Sequence, residues 1–111
     1  MIELVIKNYL DGQLSVPVFL ERPEKPPKKY VIFEKTSSGK SNYLPSATCA
    51  FQSYAPSMYE AAVLNEEVKE AVEGMITLDA VSKISLNSDY NFTDTTTKEY
   101  RYQAVFDINH Y

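Results

Sequence analysis

The sequence has no tryptophan, one cysteine, one histidine and three glycines in 111 residues. The single cysteine, Cys49, excludes an internal disulfide and any zinc site that needs several cysteines. Because Ala47, Ala50 and Phe51 surround Cys49 in the chain, we expect its thiol to be buried and inert. His110 lies next to the last residue, where order is least secure, so we expect no Cys–His or Ser–His catalytic pair.

Long hydrophobic runs are also missing. The first twelve residues, MIELVIKNYLDG, contain Glu3, Lys7 and Asp11 and lack the apolar run of a signal peptide. No stretch approaches the length of a transmembrane helix. We therefore expect a protein that is made and kept in a cytoplasm, with no membrane partner.

The chain is long enough for one modest core and too short for two. Hydrophobic residues make up 44% of the sequence and charged residues 23%, which is the balance of an ordinary globular domain. Nine tyrosines and five phenylalanines are a large aromatic share. Two interpretations stay open: these rings line one face of a β-sheet, or they form protein–protein contacts.

Charge is unevenly distributed along the chain. Residues 21–40 contain six basic and three acidic side chains, whereas residues 57–79 contain six acidic side chains and one basic side chain. The net charge of −4 argues against a protein that grips DNA through its phosphates. Two interpretations of the segregation remain: solvated surfaces of one chain, or complementary patches through which copies associate.

The N-terminal half predicts one helix followed by three short strands. Ile2, Val5, Ile6, Tyr9 and Leu10 recur at helical spacing. Gly12 is placed to end that helix.

The strands are expected over residues 16–20, 30–35 and 47–54, as a meander. Pro17 predicts an edge position for the first strand. A charged, proline-rich connector separates the first two strands, and the polar stretch 36–46 is predicted to be a loop.

The best-marked element is a helix after Pro56. Ser57 and Glu60 have the spacing of a capping box, in which each side chain satisfies a backbone donor of the first turn. Gly74 is expected to end the helix in a left-handed conformation. An apolar stripe at helical spacing faces a core, with the glutamates on the opposite side. The stripe comprises Ala61, Leu64, Val68, Ala71, Val72 and Met75.

The C-terminal third alternates polar and apolar residues in two arms joined by the polar residues 93–98. This pattern predicts a half-buried antiparallel hairpin, with Ile84, Leu86, Tyr90 and Phe92 on one face. The element order is then α-β-β-β-α-β-β. We expect a single α+β domain in which helices pack on one face of a mainly antiparallel sheet.

Two sequence motifs resemble ligand sites only in part. Residues 39–41 match the end of a P-loop, but the position of the earlier glycine is occupied by Glu34. Residues 89–94 resemble the start of a calcium loop, but the central glycine is missing and the twelfth residue is Tyr100. We expect no cofactor, no metal and no enzymatic activity.

Two long stretches carry a family resemblance. AFQSYAPSMYEAAVLNEEVKEAV and LNSDYNFTDTTTKEYRYQAVFDINHY, together with the opening helix and VPVFLERP, resemble small tail proteins of long-tailed bacteriophages and Gram-positive prophages. These are the tail terminator and tail completion proteins, which join head and tail. The resemblance covers nearly the whole chain, although segments 21–30 and 36–45 depart furthest from the pattern.

The resemblance implies an α+β subunit that assembles as a ring, typically a hexamer, in the virion tail after assembly in the host bacterial cytoplasm. Its partners would be copies of itself, the tail tube protein, head connector proteins, and DNA that passes through without sequence-specific binding. The alternative role is a head completion protein or a tail assembly factor of the same gene block. An enzyme or nucleotide-binding module is the third class.

The charge segregation and the polar connections suggest where copies or partners meet. We expect salt-sensitive association between acidic and basic parts, and polar loops at 36–45 and 93–98 that are mobile in the free subunit. The candidate interface residues are Lys28, Lys29, Lys35, Lys40, Tyr43, Glu66, Glu70, Glu73, Thr95 and Thr96.

Overall fold

The structure, a computed structural model, describes residues 2–41 and 43–111. The predicted α+β class and the order α-β-β-β-α-β-β are confirmed, with one 3-10 helix added after the second α-helix. In chain order the elements are α1 (Ile2–Gln13), β1 (Val18–Phe19), β2 (Tyr30–Ser41), β3 (Leu44–Ala55), α2 (Met58–Glu73), the 3-10 helix (Gly74–Thr77), β4 (Val81–Asn91) and β5 (Tyr100–His110).

The five strands form one sheet in the order β1-β2-β3-β5-β4. All neighbours are antiparallel except β1 and β2, which are parallel. The predicted meander of the first three strands is therefore wrong at β1, because the connector 20–29 returns the chain before β2 begins. The edge position predicted from Pro17 is confirmed: β1 is an edge strand, and the Pro17 carbonyl accepts a hydrogen bond from the Val31 N–H at 3.0 Å.

Both helices pack on one face of the sheet, and the core lies between them and the strands. Phe33, Phe51 and Phe106 are the largest side chains in this layer, and all three are essentially inaccessible to water. Removing such a side chain from water stabilises the fold by about 1.5–3 kcal/mol. α1 contributes Ile2, Ile6 and Leu10, and the predicted α2 stripe is confirmed by the burial of Ala61, Leu64, Val68, Val72 and the adjoining Met75.

The ends of the two helices differ from the prediction at their glycines. α1 continues through Gly12 to Gln13, because Gly12 lies on the exposed side and a helix tolerates one glycine there. Gly74 is right-handed (φ −65°) and leads directly into the 3-10 helix, so the predicted left-handed stop is wrong. A Cβ at residue 74 would lie 2.7 Å from the Tyr9 hydroxyl, so a larger residue there would have to displace the end of the Tyr9 side chain.

The predicted cap of α2 is confirmed at Ser57. Its Oγ accepts a hydrogen bond from the Glu60 N–H at 3.2 Å. The reciprocal half of the capping box differs, because the Glu60 carboxylate accepts from the Ser57 hydroxyl at 3.2 Å and not from a backbone N–H.

The prediction of a loop over residues 36–46 is wrong, because residues 36–41 and 44–46 form the outer part of a long β2–β3 hairpin. Ser38 pairs with Ala47, and Lys40 pairs with Pro45. The side chains of residues 36–40 are exposed. A strand that buries neither face needs no polar–apolar alternation, so its sequence looks like a loop.

The C-terminal hairpin is confirmed, but one face of β4 was assigned wrongly in its second half. An extra residue, Asn87, interrupts the register between Leu86 and Ser88. A bulge of this kind reverses the faces of the residues that follow. Tyr90 consequently lies opposite Gln103 on the open face, which is the face of the sheet away from the helices. The Asp89 side chain instead lies toward α2.

Candidate functional site

The hairpin tip, in the part that the structure describes, comprises residues 40–41 and 43–45, which extend past the last β3–β5 pair, Ser46 with Asn109. Lys40 is exposed at this tip, and Tyr43 is 97% exposed. The backbone of Tyr43 has φ 70°, a left-handed conformation that is unfavourable for a bulky residue outside tight turns. The tip therefore presents one cation and one aromatic ring fully to water.

Four predicted interface residues lie at the opposite end of the molecule. Lys28 and Lys29 are exposed in the connector before β2, and the Lys29 ammonium lies 3.6 Å from the Glu60 carboxylate. Thr95 and Thr96 are exposed in the turn between β4 and β5. That turn lies where β3 ends, because Ala55 pairs with Tyr100.

The turn 93–98 is organised by one carboxylate. Asp94 accepts hydrogen bonds from the Thr96 N–H at 2.9 Å and the Thr97 N–H at 3.4 Å. These backbone donors, Thr96 first, lower the pKa of Asp94. The predicted mobility of this turn in the free subunit stays a prediction.

Lys35 is satisfied within the chain. Its ammonium lies 3.1 Å from the Glu3 carboxylate, and both side chains are only partly exposed. The pKa of Glu3 is lowered, first by its backbone hydrogen bond at the start of α1 and then by Lys35, with burial opposing the shift. Lys35 therefore ties α1 to β2 and is the least available of the predicted basic residues.

The predicted acidic residues of α2 divide into two groups. Glu70 and Glu73 are exposed on the outer side of the helix. Glu66 pairs with Lys69 at 2.7 Å, and Lys69 also pairs with Asp89 of β4. Asp89 in turn accepts a hydrogen bond from the buried Asn65 amide at 2.7 Å, so this polar network holds α2 to the edge strand. The hydrogen bond from Lys69 to Asp89 is the largest cause of a raised Lys69 pKa.

The ten predicted interface residues thus do not form one site. They lie in three places: the hairpin tip, the opposite end of the sheet, and the outer side of α2, with Lys35 apart from all three. The molecule measures 43 × 24 × 24 Å, so the tip and the opposite end are far apart.

A groove next to α2 was not predicted from the sequence. It has a volume of about 330 Å³ and runs between α2 and the segment that precedes β1. Tyr59 and Val63, which are 77% and 40% exposed, form its apolar wall with Val16. The signal available in the sequence was this apolar pair at i and i+4 on the charged side of α2. The lining residues are Ser15, Val16, Lys29, Tyr59, Glu60, Val63, Leu64 and Glu67.

A second groove of about 440 Å³ continues along α2 and shares Ser15 and Glu67 with the first. Glu70 and Tyr9 also line it. The combined groove therefore carries the carboxylates of Glu60, Glu67 and Glu70 along its length, with Lys29 as the cation at one end. Such a lining suits a basic partner with an aromatic group.

The open face of the sheet carries a stack of aromatic rings and arginines. Tyr30 and Tyr54 are stacked with centroids 4.6 Å apart. The Arg101 guanidinium lies 5.8 Å from the Tyr54 centroid and 4.4 Å from that of Phe92. Burial is the main cause of a raised Tyr30 pKa. These side chains contact one another within the chain. The aromatic residues are therefore divided between the two faces of the sheet.

Cys49 is buried in the core, and burial raises the pKa of its thiol to about 12. A thiol in this state is protonated near neutral pH and is a poor nucleophile. Within residues 2–41 and 43–111, no three His, Cys, Asp or Glu side chains are grouped as a metal site. The helices found in those same ranges are too short or too polar to cross a membrane.

No protein-family model matches this chain, and no curated protein matches it.

Proposed function

We propose that the chain is a structural subunit of the tail of a long-tailed bacteriophage or prophage. Copies of it form a ring, typically of six, at the head-proximal end of the tail tube and join the tail to the head. The phage assignment is supported by the two long stretches, residues 50–72 and 86–111, that resemble tail terminator and tail completion proteins. The assembly role is supported by the hairpin.

The single observation that carries the assembly role is the outer part of the β2–β3 hairpin. Its backbone is regularly paired up to Ser41 and Leu44, yet residues 36–40 bury no side chain. An ordered extension that adds nothing to the core is typical of segments that contact another molecule. The tip and the opposite end carry different surfaces, which allows a head-to-tail contact between copies, and head-to-tail contacts close into rings when the rotation permits.

The net charge supports a ring through which DNA passes. At −4 per copy, the subunit lacks the basic footprint that would hold phosphates through counterion release. Acidic residues facing a lumen would let DNA slide.

The test is deletion of the gene from the phage or prophage that encodes it. We expect heads and tails that are complete but unjoined, with joining restored by a plasmid copy. A gold-labelled copy should appear at the head-proximal tip of isolated tails. A label on the head vertex would assign the protein to head completion instead. Normal joined particles from the deletion strain would refute the proposal.

A further inference from the structure

Tyr43 adds no buried surface to the isolated subunit. It lies in the turn of the β2–β3 hairpin, where a positive φ is required and glycine or asparagine is the usual residue. A tyrosine is used there instead, and its ring is 97% exposed. Tyrosine is enriched where proteins contact one another, so this ring is a candidate contact point.

The groove beside α2 has the complementary properties. Val16, Val63 and Tyr59 provide an apolar wall, and Glu60 and Glu67 provide two carboxylates against the one ammonium of Lys29, which pairs with Glu60. Its volume of about 330 Å³ is roughly that of ten water molecules, which leaves room for a phenol ring. The hairpin tip offers the matching pair of groups, the Tyr43 ring and the Lys40 ammonium.

A copy cannot place its tip in its own groove. β3 runs from Leu44, next to the tip, to Ala55, three residues before α2 begins at Met58. At about 3.3 Å per residue, those two ends of β3 are roughly 36 Å apart. Tyr59 lies in the first turn of α2, at the far end. The occupant must therefore come from a different molecule.

Pairing between sheet edges is a weaker alternative for contact between copies. β4, one edge strand, has register shifts after Val81 and after Leu86 and carries Lys83 and Asp89. β1 pairs with β2 only at Val31 and Ile32, so the rest of β2 also forms an edge of the sheet, and it has a third register shift between Lys35 and Ser37. Bulges and charges are the usual protection of edges against strand addition.

We propose that the hairpin tip of one copy docks in the groove beside α2 of the next copy. Tyr43 inserts between Val63 and Val16, and Lys40 lies against the carboxylates of Glu60 and Glu67. The contact is head-to-tail, so each copy uses its tip once and its groove once, as a closed ring requires. The inference rests on the proposed ring function and names the surfaces that build the ring.

The test compares matched variants by light scattering over a range of concentrations, alone and with purified tails. Tyr43→Ala should raise the concentration needed for assembly at least tenfold. Tyr111→Ala, which removes a tyrosine that is 71% exposed elsewhere on the surface, is the control and should change it less than twofold.

A charge exchange tests the partner surface. Lys40→Glu should weaken assembly at least fivefold, and combining it with Glu67→Lys should restore most of the loss. A role confined to folding of one copy would give no such rescue. High salt should reduce the difference between the wild type and Lys40→Glu, because the contact is electrostatic and exposed.

The outcomes separate the two proposals. If the wild type assembles and Tyr43→Ala and Lys40→Glu assemble equally well, the docking inference is wrong and the ring proposal stands. If the wild-type protein remains monomeric both alone and with purified tails, both proposals are wrong. Loss of assembly in the tip variants with rescue by Glu67→Lys supports both.

Discussion

The two halves of strand β2 differ in how much of their surface is buried. In the inner half, Tyr30, Val31, Ile32 and Phe33 are all buried. In the outer half, residues 36–40 are all exposed. Both halves pair with β3 in the same antiparallel ladder, apart from one register shift between Lys35 and Ser37. Backbone pairing is thus shared, whereas burial belongs to the inner half alone.

If the proposed docking is right, this difference separates the residues that stabilise the fold from those that act on association. Substitutions in the inner half and the core beneath it should change the free energy of unfolding. Substitutions in the outer half should leave that free energy nearly unchanged and act on association.

The largest effect is expected for Phe51→Ala. Phe51 is fully buried, stacks on Phe33 at 5.2 Å and meets Phe106 edge-on at 5.9 Å. Loss of the ring should lower the free energy of unfolding by about 3–5 kcal/mol, because a cavity remains. Urea denaturation followed by circular dichroism measures this, and a loss below about 1 kcal/mol would contradict the assigned core.

The next largest effect is expected for Asp89→Ala, which should lower the free energy of unfolding by about 1–3 kcal/mol. The change leaves the buried Asn65 amide without its acceptor and the Lys69 ammonium without one of its carboxylates. Asp79→Ala, at an exposed position, is the control and should shift the urea midpoint little. Equal effects of the two variants would mean that Asp89 does not face α2.

We expect the buried thiol of Cys49 to cause a specific loss of stability at alkaline pH. Burial raises its pKa from the ordinary 9 to about 12, so the folded state keeps a proton that the unfolded state releases. The stability from this group is complete below about pH 9 and falls between pH 9 and 12, by up to about 1.4 kcal/mol per pH unit. Cys49→Ala should lose less stability than the wild type over that range, with other titrations common to both. Parallel pH profiles would refute this.

Ser57→Ala should cost about 1 kcal/mol, because the Glu60 N–H loses its acceptor at the start of α2. Ser57→Asp keeps an acceptor and should retain most of the stability. Thermal denaturation of the three proteins distinguishes these outcomes, and equal midpoints for all three would count against the cap.

The smallest effect on stability is expected for Tyr43→Gly. Glycine accepts the φ of 70° without strain, and no burial is lost at a side chain that is 97% exposed. The free energy of unfolding should change by less than about 0.5 kcal/mol. A loss above about 1 kcal/mol in urea would show that the tip supports the fold, and the separation between the two halves would fail.

The sequence predicted those elements in which local signals and burial agree. α2 was predicted with its cap at Ser57 and its apolar stripe, because a capping serine and a helical period both mark it. The inner half of β2 was predicted because its β-formers are dense. The sheet with helices on one face followed from the element order.

The sequence did not predict a strand segment that buries neither face, or a change that depends on one extra residue. Serines and threonines in the outer half of β2 resemble a loop, because neither face is buried. The extra residue Asn87 reversed the faces of β4, which no alternation count reveals. Gly74 was assigned to a left-handed stop, whereas the chain continues in a right-handed conformation directly into the 3-10 helix.

The same reasoning applies to the interface residues. Their charges and exposure were predictable from the sequence, but their distribution over three places was not, because it depends on how β3 separates the hairpin tip from α2. The groove was missed because Tyr59 and Val63 lie among glutamates on the outer side of the helix.

Negative-stain imaging of the purified chain mixed with isolated tails tests most directly whether copies of this protein build a ring. The account predicts closed rings with a central opening, seated at one end of each tail. Single small particles in every field, with bare tail ends at all protein concentrations, would contradict it.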